Sequence, residues 1–168
     1  MALDHEGHVW SCGGNQHGQL GVNDTNSRSS PCKISTLKNV RSVEGGYWHC
    51  IALDSQGHVW SWGDNIHGSL GLGDDNERLS PEQIQTLPEI TSIHVGGVHA
   101  LCVDLNGNVW VFGNNEDGEL GLGDSKKRNI PTRLSCFDLT ISEEKYHTLE
   151  VKAVNSDNAL ESEIITII

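Results

Sequence analysis

Apolar and polar positions alternate in short bursts along this chain, and many of the bursts run into glycine. Cys50-Ile51-Ala52-Leu53-Asp54 and Val59-Trp60-Ser61-Trp62-Gly63 form the clearest pair. A two-residue period sets Trp60 and Trp62 on one side of a strand, with Val59 and Ser61 on the other. Between the two bursts, Asp54-Ser55-Gln56-Gly57 opens on Asp and closes on Gly, which suits a tight hairpin turn ending at positive φ.

This arrangement recurs at a constant spacing of 50 residues: GHVWSCGGNQHGQLG from Gly7 to Gly21, GHVWSWGDNIHGSLG from Gly57 to Gly71, and GNVWVFGNNEDGELG from Gly107 to Gly121. Trp10, Trp60 and Trp110 correspond, as do Gly13, Gly63 and Gly113. So do Asn15, Asn65 and Asn115, then Gly18, Gly68 and Gly118, then Leu20, Leu70 and Leu120. A fixed period of this length marks a repeat architecture, in which each unit buries its apolar face against its neighbours. The segment Gly-x-Asn-x-x-Gly-x-Leu-Gly is too rich in glycine for helix or strand. It reads as an ordered loop anchored to the core by its Leu.

The rest of each period is also regular. Polar segments, the first from Asn23 to Ser30, precede Pro31, Pro81 and Pro131, each of which opens an extended piece. Val40 and Val43 match Ile90 and Ile93, and these lead into Gly46-x-x-His49 and Gly96-x-x-His99. About four short strands per period, with turn signals between them, predict an all-β fold of propeller or sandwich type. The register breaks after Arg133. Residues 1–133 are therefore read as repeats, and 134–168 as a degenerate fourth repeat or a β-hairpin tail. Glu143 to Thr148 looks like a decayed Gly-x-x-His segment. After it, Leu149, Val151 and Ala153 alternate with polar residues, Asn155 to Asn158 makes a turn, and Ile164 to Ile168 reads as a return strand.

The string Gly-x-x-His, then Ala-Leu-Asp-x-x-Gly-His-Val-Trp-Ser-Trp-Gly-x-Asn-x-x-Gly-x-Leu-Gly, then Pro, resembles the regulator of chromosome condensation repeat family over residues 2–133. The resemblance implies a seven-bladed β-propeller, of which this chain supplies a partial ring of about three four-stranded antiparallel blades. It also implies a protein partner, either a small GTPase or a ubiquitin-ligase assembly. Family members include an exchange factor for the GTPase Ran and interaction domains attached to ligases, kinases and ciliary proteins. The family's exchange factor displaces nucleotide with a wedge inserted between strands, and the strict spacing of Gly7, Gly57 and Gly107 leaves no room for one. The expectation is a fragment of a ring that self-associates or needs further blades in trans. The function expected is a protein-interaction scaffold reading its partner through the variable loops Asn23 to Ser30, Asp74 to Ser80 and Ser125 to Ile130. Guanine-nucleotide exchange on a Ran-like GTPase is the alternative.

Charge narrows the partners further. The net charge is −12, and Lys126-Lys127-Arg128 is the only basic cluster. Nucleic-acid binding leans on clustered Lys and Arg, so it is not expected here. With no signal peptide and no apolar run of membrane length, the reading is a cytoplasmic or nuclear protein without a membrane role. Five cysteines (Cys12, Cys32, Cys50, Cys102, Cys136) make an odd count with no Cys-x-x-Cys, which suggests buried free thiols in a reducing compartment. The five Trp are read as the bulk of the large core side chains.

Reactive chemistry finds little support. Gly63 to Gly68 is spaced like part of a dinucleotide fingerprint, but a Pro-bearing polar segment follows where the motif needs a helix. Asp104-Leu105-Asn106-Gly107 begins like a calcium loop, yet no Glu closes it. His8 and His58 become Asn108, and His17 and His67 become Asp117, so a metal site shared along the array would lose its ligand. His49 and His99 are read as structural, with each imidazole bridging backbone groups of adjacent strands. No catalytic, cofactor or metal residue is assigned. The site residues of this reading are the repeat positions themselves.

Overall fold

The computed structural model describes residues 1–135 and two further strands, 148–154 and 160–166; every described element is a strand. The first sheet holds β1 (Ala2–Leu3), β2 (Val9–Gly13) and β3 (Arg28–Lys33). The second holds β4 (Val40–Gly45), β5 (His49–Asp54), β6 (Val59–Gly63) and β7 (Arg78–Gln83). The third repeats it with β8 (Ile90–Val95), β9 (His99–Asp104), β10 (Val109–Gly113) and β11 (Arg128–Arg133). All pairings are antiparallel between consecutive strands, as expected of propeller blades. Register is conserved between sheets: Ala52 faces Trp60 in the second, and Cys102 faces Trp110 in the third. No helix among the described residues is long and apolar enough to cross a membrane.

The first strands of the sheets, β1, β4 and β8, touch one another in succession, so they form the inner edge of the arc. The last strands, β3, β7 and β11, form the outer edge. Strand alternation then gives the second blade two buried faces. Cys50, Ala52 and Trp62 meet Val9, Ile34 and Leu37 of the first blade. Ile51, Leu53 and Val59 point the other way, against Ile90, Ile93, Ala100, Cys102 and Phe112 of the third. Trp60 and Trp62 pack into the same cluster, as the two-residue period requires.

Three expectations change. Of the five Trp, only Trp62 is fully buried; Trp10, Trp60 and Trp110 are half-buried, and Trp48 is exposed. Aliphatic side chains and Phe112 supply most of the rest of the core. The outer strands begin at Arg28, Arg78 and Arg128, before the prolines meant to open them. A proline has no N–H to donate, and an edge strand has one side on which none is needed. Cys50 and Cys102 are buried free thiols as read, but Cys12 is exposed and Cys32 half-buried. At the Cys12 position the later blades have Trp62 and Phe112, each packed with residues of the preceding blade, and Cys136 lies outside the described residues.

The remaining strands, β12 (Thr148–Val154) and β13 (Leu160–Thr166), form an antiparallel hairpin in which Thr148 faces Thr166. The return strand thus starts at Leu160, earlier than Ile164. The turn read at Asn155 to Asn158 and most of the decayed Gly-x-x-His segment lie outside the described residues.

Candidate functional site

The loops that crown this scaffold are fixed by three polar devices, each repeated from blade to blade. In the first, the Asp that opens the β-turn is a hub. Asp54 Oδ1 accepts the backbone N–H groups of Gln56 and His58, and Oδ2 accepts Trp60 Nε1 at 3.1 Å. Asp4 takes Trp10 at 3.0 Å, and Asp104 takes Trp110 at 3.1 Å. Burial opposes ionisation of Asp54, but hydrogen bonds from Trp60 and then from the His58 and Gln56 backbone outweigh it and hold its pKa below the ordinary value. Asp104 behaves alike, with burial outweighed by Asn108 and Trp110. For Asp4 the indole of Trp10 is the largest influence, and its pKa is also lowered.

The hub explains the exchange of His for Asn. His8 Nδ1 and His58 Nδ1 each lie 3.2 Å from the hub carboxylate, and Asn108 Nδ2 donates to it at 2.8 Å. Imidazole and carboxamide present a nitrogen at the same place, so the position selects for a short donor and not for a metal ligand. Among the described residues no group of His, Cys, Asp and Glu is placed to hold a metal ion. The glycines closing these turns, Gly7, Gly57 and Gly107, have φ of 78°, 82° and 78°.

The second device is the buried Asn of the glycine-rich loop. Asn15, Asn65 and Asn115 are wholly buried, and each accepts from the backbone N–H of Leu20, Leu70 or Leu120. Each also donates to the carbonyl of Asp24, Asp74 or Asp124, which ties the loop to the outer segment. Gly13, Gly63 and Gly113 turn the strand into this loop, with Gly18, Gly68 and Gly118 further along, all at positive φ. The three Leu are buried.

The third device braces the outer loops and was not singled out in the sequence, although an Asp four residues before an Arg recurs in every copy. Arg28, Arg78 and Arg128 pair with Asp24, Asp74 and Asp124 at 2.6, 2.8 and 2.8 Å. The paired guanidinium is the largest influence on each carboxyl and lowers its pKa, for Asp124 to about 2. On this common frame the exposed positions differ. Thr25 and Ser27 in the first loop become Asp75 and Glu77 in the second, then Ser125 and Lys127 in the third. Lys127 reaches back to Asp75 at 2.7 Å, joining adjacent loops.

The hairpin loops Gly46-x-x-His49 and Gly96-x-x-His99 depart from expectation. Gly46 N–H donates to His49 O, and Gly96 N–H to His99 O, both at 2.9 Å. The His49 ring is buried, but its Nε2 has no hydrogen-bond partner, so it does not bridge strands through that atom. It lies over Gly46, where any Cβ would strike its Cε1, and His99 lies over Gly96 in the same way. The pair is a steric fit of ring to glycine. Burial, with His99 nearby, lowers the His49 pKa to about 4. Between glycine and histidine, Tyr47 and Trp48 stand exposed at 73% and 46%.

Comparison with known proteins agrees with this geometry. The profile of the regulator of chromosome condensation (RCC1) repeat matches residues 6–53, 56–103 and 106–142, and a second profile of that repeat matches 40–69. No curated protein matches the chain by sequence. Prp20p from Saccharomyces cerevisiae, described together with its binding properties to Gsp1p and histones, superposes with a TM-score of 0.74 at 21% identity, covering 94% of this chain and 42% of its own. Yeast RCC1 (Prp20) bound by Kap60 gives 0.73 at 24%, covering 88% and 36%, and human WBSCR16 gives 0.72 at 27%, covering 83% and 38%. This chain thus spans less than half the length of each. With three successive repeat matches, each beginning at the Asp-opened turn inside one sheet and the first two running on into the next, the chain belongs to the regulator of chromosome condensation repeat family.

Proposed function

We propose that the chain is a protein-interaction module in the cytoplasm or nucleus, and that its outer loops (Asn23 to Ser30, Asp74 to Ser80, Ser125 to Ile130) recognise a protein partner. One observation carries this: an Asp–Arg brace and a buried Asn hold all three loops alike while their exposed residues change from neutral to acidic to mixed basic. A rigid frame with variable tips keeps the ordering cost of binding low and leaves specificity to the tips. The repeat positions from Gly7 to Leu120 serve the frame and not the contact.

Affinity capture with the chain, and with a variant carrying Ser at Asp75, Glu77 and Lys127, tests this. The expected result is a protein retained by the first and lost from the second. Equal capture by both overturns the assignment to the loops. Exchange on a Ran-like GTPase is the second reading, favoured by the likeness in fold to Prp20p. Faster release of labelled GDP from Ran in the presence of the chain would establish it instead.

A further inference from the structure

On the hairpin-loop side of the arc, three blades contribute to one aromatic ledge. Tyr47 and Trp48 meet edge to face with ring centroids 6.0 Å apart, and His17 of the first blade lies 5.8 Å from Trp48. Tyr47 reaches over the third blade: its ring lies against Gly97, and its N–H donates to Gly97 O at 2.9 Å. Main-chain bonds from Tyr47 N–H to Gly97 O and from Asp64 N–H to Trp48 O fix the backbone under these rings, and a contiguous exposed aromatic patch marks an interaction site.

Carboxylates flank the ledge. Asp64 N–H donates to Trp48 O at 2.9 Å, and its side chain lies 3.8 Å from His17 Nδ1. In the next blade Asn114 N–H donates to Val98 O at 3.0 Å, and Asn114 holds Glu119 beside that loop at 2.9 Å. The guanidinium groups heading the outer strands are already committed to their own Asp partners. An aromatic face attracts a cation through its ring quadrupole, and neighbouring carboxylates add to that attraction.

From this juxtaposition of exposed rings and carboxylates we infer that the Tyr47–Trp48 ledge is a binding site for an arginine-bearing, basic segment of a partner protein. The guanidinium stacks on Trp48 or Tyr47 and its charge faces Asp64 and Glu119. The net charge of −12 draws such a segment in from a distance. This deepens the reading of the chain as an interaction module and uses a surface separate from the outer loops.

Fluorescence anisotropy of a short labelled peptide of alternating arginine and glycine, titrated with the full chain, tests the site. Binding about tenfold tighter than for the same peptide with glutamine in place of arginine is expected, with a loss of about tenfold in Trp48→Ala or Tyr47→Ala and a smaller loss in Asp64→Asn. Equal binding of the two peptides overturns the proposal. So does unchanged binding by a Tyr47→Ala, Trp48→Ala double variant, which places the cation elsewhere on the acidic surface. A dimer of the chain that dissociates in Tyr47→Ala assigns the ledge to a second copy, and also overturns it. The variant with Ser at Asp75, Glu77 and Lys127 should keep peptide binding, so the ledge and the outer loops can fail independently.

Discussion

Trp60 is tied to Asp54 by an indole N–H that donates to the carboxylate at 3.1 Å, and the same carboxylate caps two backbone N–H groups of its turn. Removing the acid orphans all of these donors in a half-buried place. Asp54→Ala should therefore cost about 3 kcal/mol in denaturant titration. His58→Asn, which installs the residue native to the third copy, should change stability by less than about 0.5 kcal/mol, whereas His58→Ala should cost about 1 kcal/mol. Equal effects of the two His58 substitutions would show that the hub does not use this donor.

The tryptophans should separate by burial. Trp62 is fully enclosed between the first two blades and donates to Gln19 O at 3.0 Å, so Trp62→Ala should cost about 3–5 kcal/mol. Trp60, half in solvent, should cost less than Trp62 by about 1–2 kcal/mol. Unfolding midpoints of the two variants, measured side by side, decide the order.

Two glycines should resist alanine for different reasons. Gly57 has a φ of 82°, and a Cβ there would also crowd Ile90 backbone atoms at 3.1 Å, so Gly57→Ala should cost about 1 kcal/mol or more. Gly46 has no such φ but lies under the His49 ring, and a Cβ there would also come within 2.6 Å of Gly97 O and 2.7 Å of Gly96 O. If the ring is the obstacle, part of the loss in Gly46→Ala should be recovered by adding His49→Ala. Strictly additive losses in the double variant would rule that explanation out.

Acid should reveal His49. Its pKa falls from 6.5 to about 4 on folding because burial disfavours the imidazolium. Below pH 6.5 the unfolded chain takes up a proton that the folded chain refuses, so stability falls from pH 6.5 to about 4 and this contribution then levels off. The full loss is about 3 kcal/mol. In His49→Gln the slope across that window should flatten, while the separate loss below about pH 4, from Asp hubs with lowered pKa, should persist.

Strands and turns were legible because their signals are local: a two-residue period, an Asp opening and a Gly closing each hairpin. The blade order followed from the constant spacing. What each side chain meets across a blade boundary was not legible. Trp60 and Trp62 look alike in sequence and pack into one cluster, yet Trp60 is tied by Asp54 at its edge and stays half-buried, while Trp62 is fully enclosed. His49 suggested a hydrogen-bonding bridge, but its role follows from the space over Gly46. Tyr47 and Trp48 gave no sign of exposure, since aromatic residues between a glycine and a buried His are ordinary core composition. The Asp24–Arg28 brace is carried in the sequence only by its recurrence at a fixed offset, among polar residues that otherwise read as solvated loop.

Neighbouring blades are also joined by main chain alone: Asn23 N–H to Leu79 O and Gly73 N–H to Asn129 O at the rim, Val40 N–H to Gly7 O and Ile90 N–H to Gly57 O at the turns. No side-chain substitution short of proline at a donor removes such a bond. A gain or loss of one residue within a period displaces it, whereas a gain or loss of all 50 leaves every joint in place. The constant 50-residue period therefore repeats every joint at the same pitch, so the exposed tips change in charge from loop to loop without changing how they are presented.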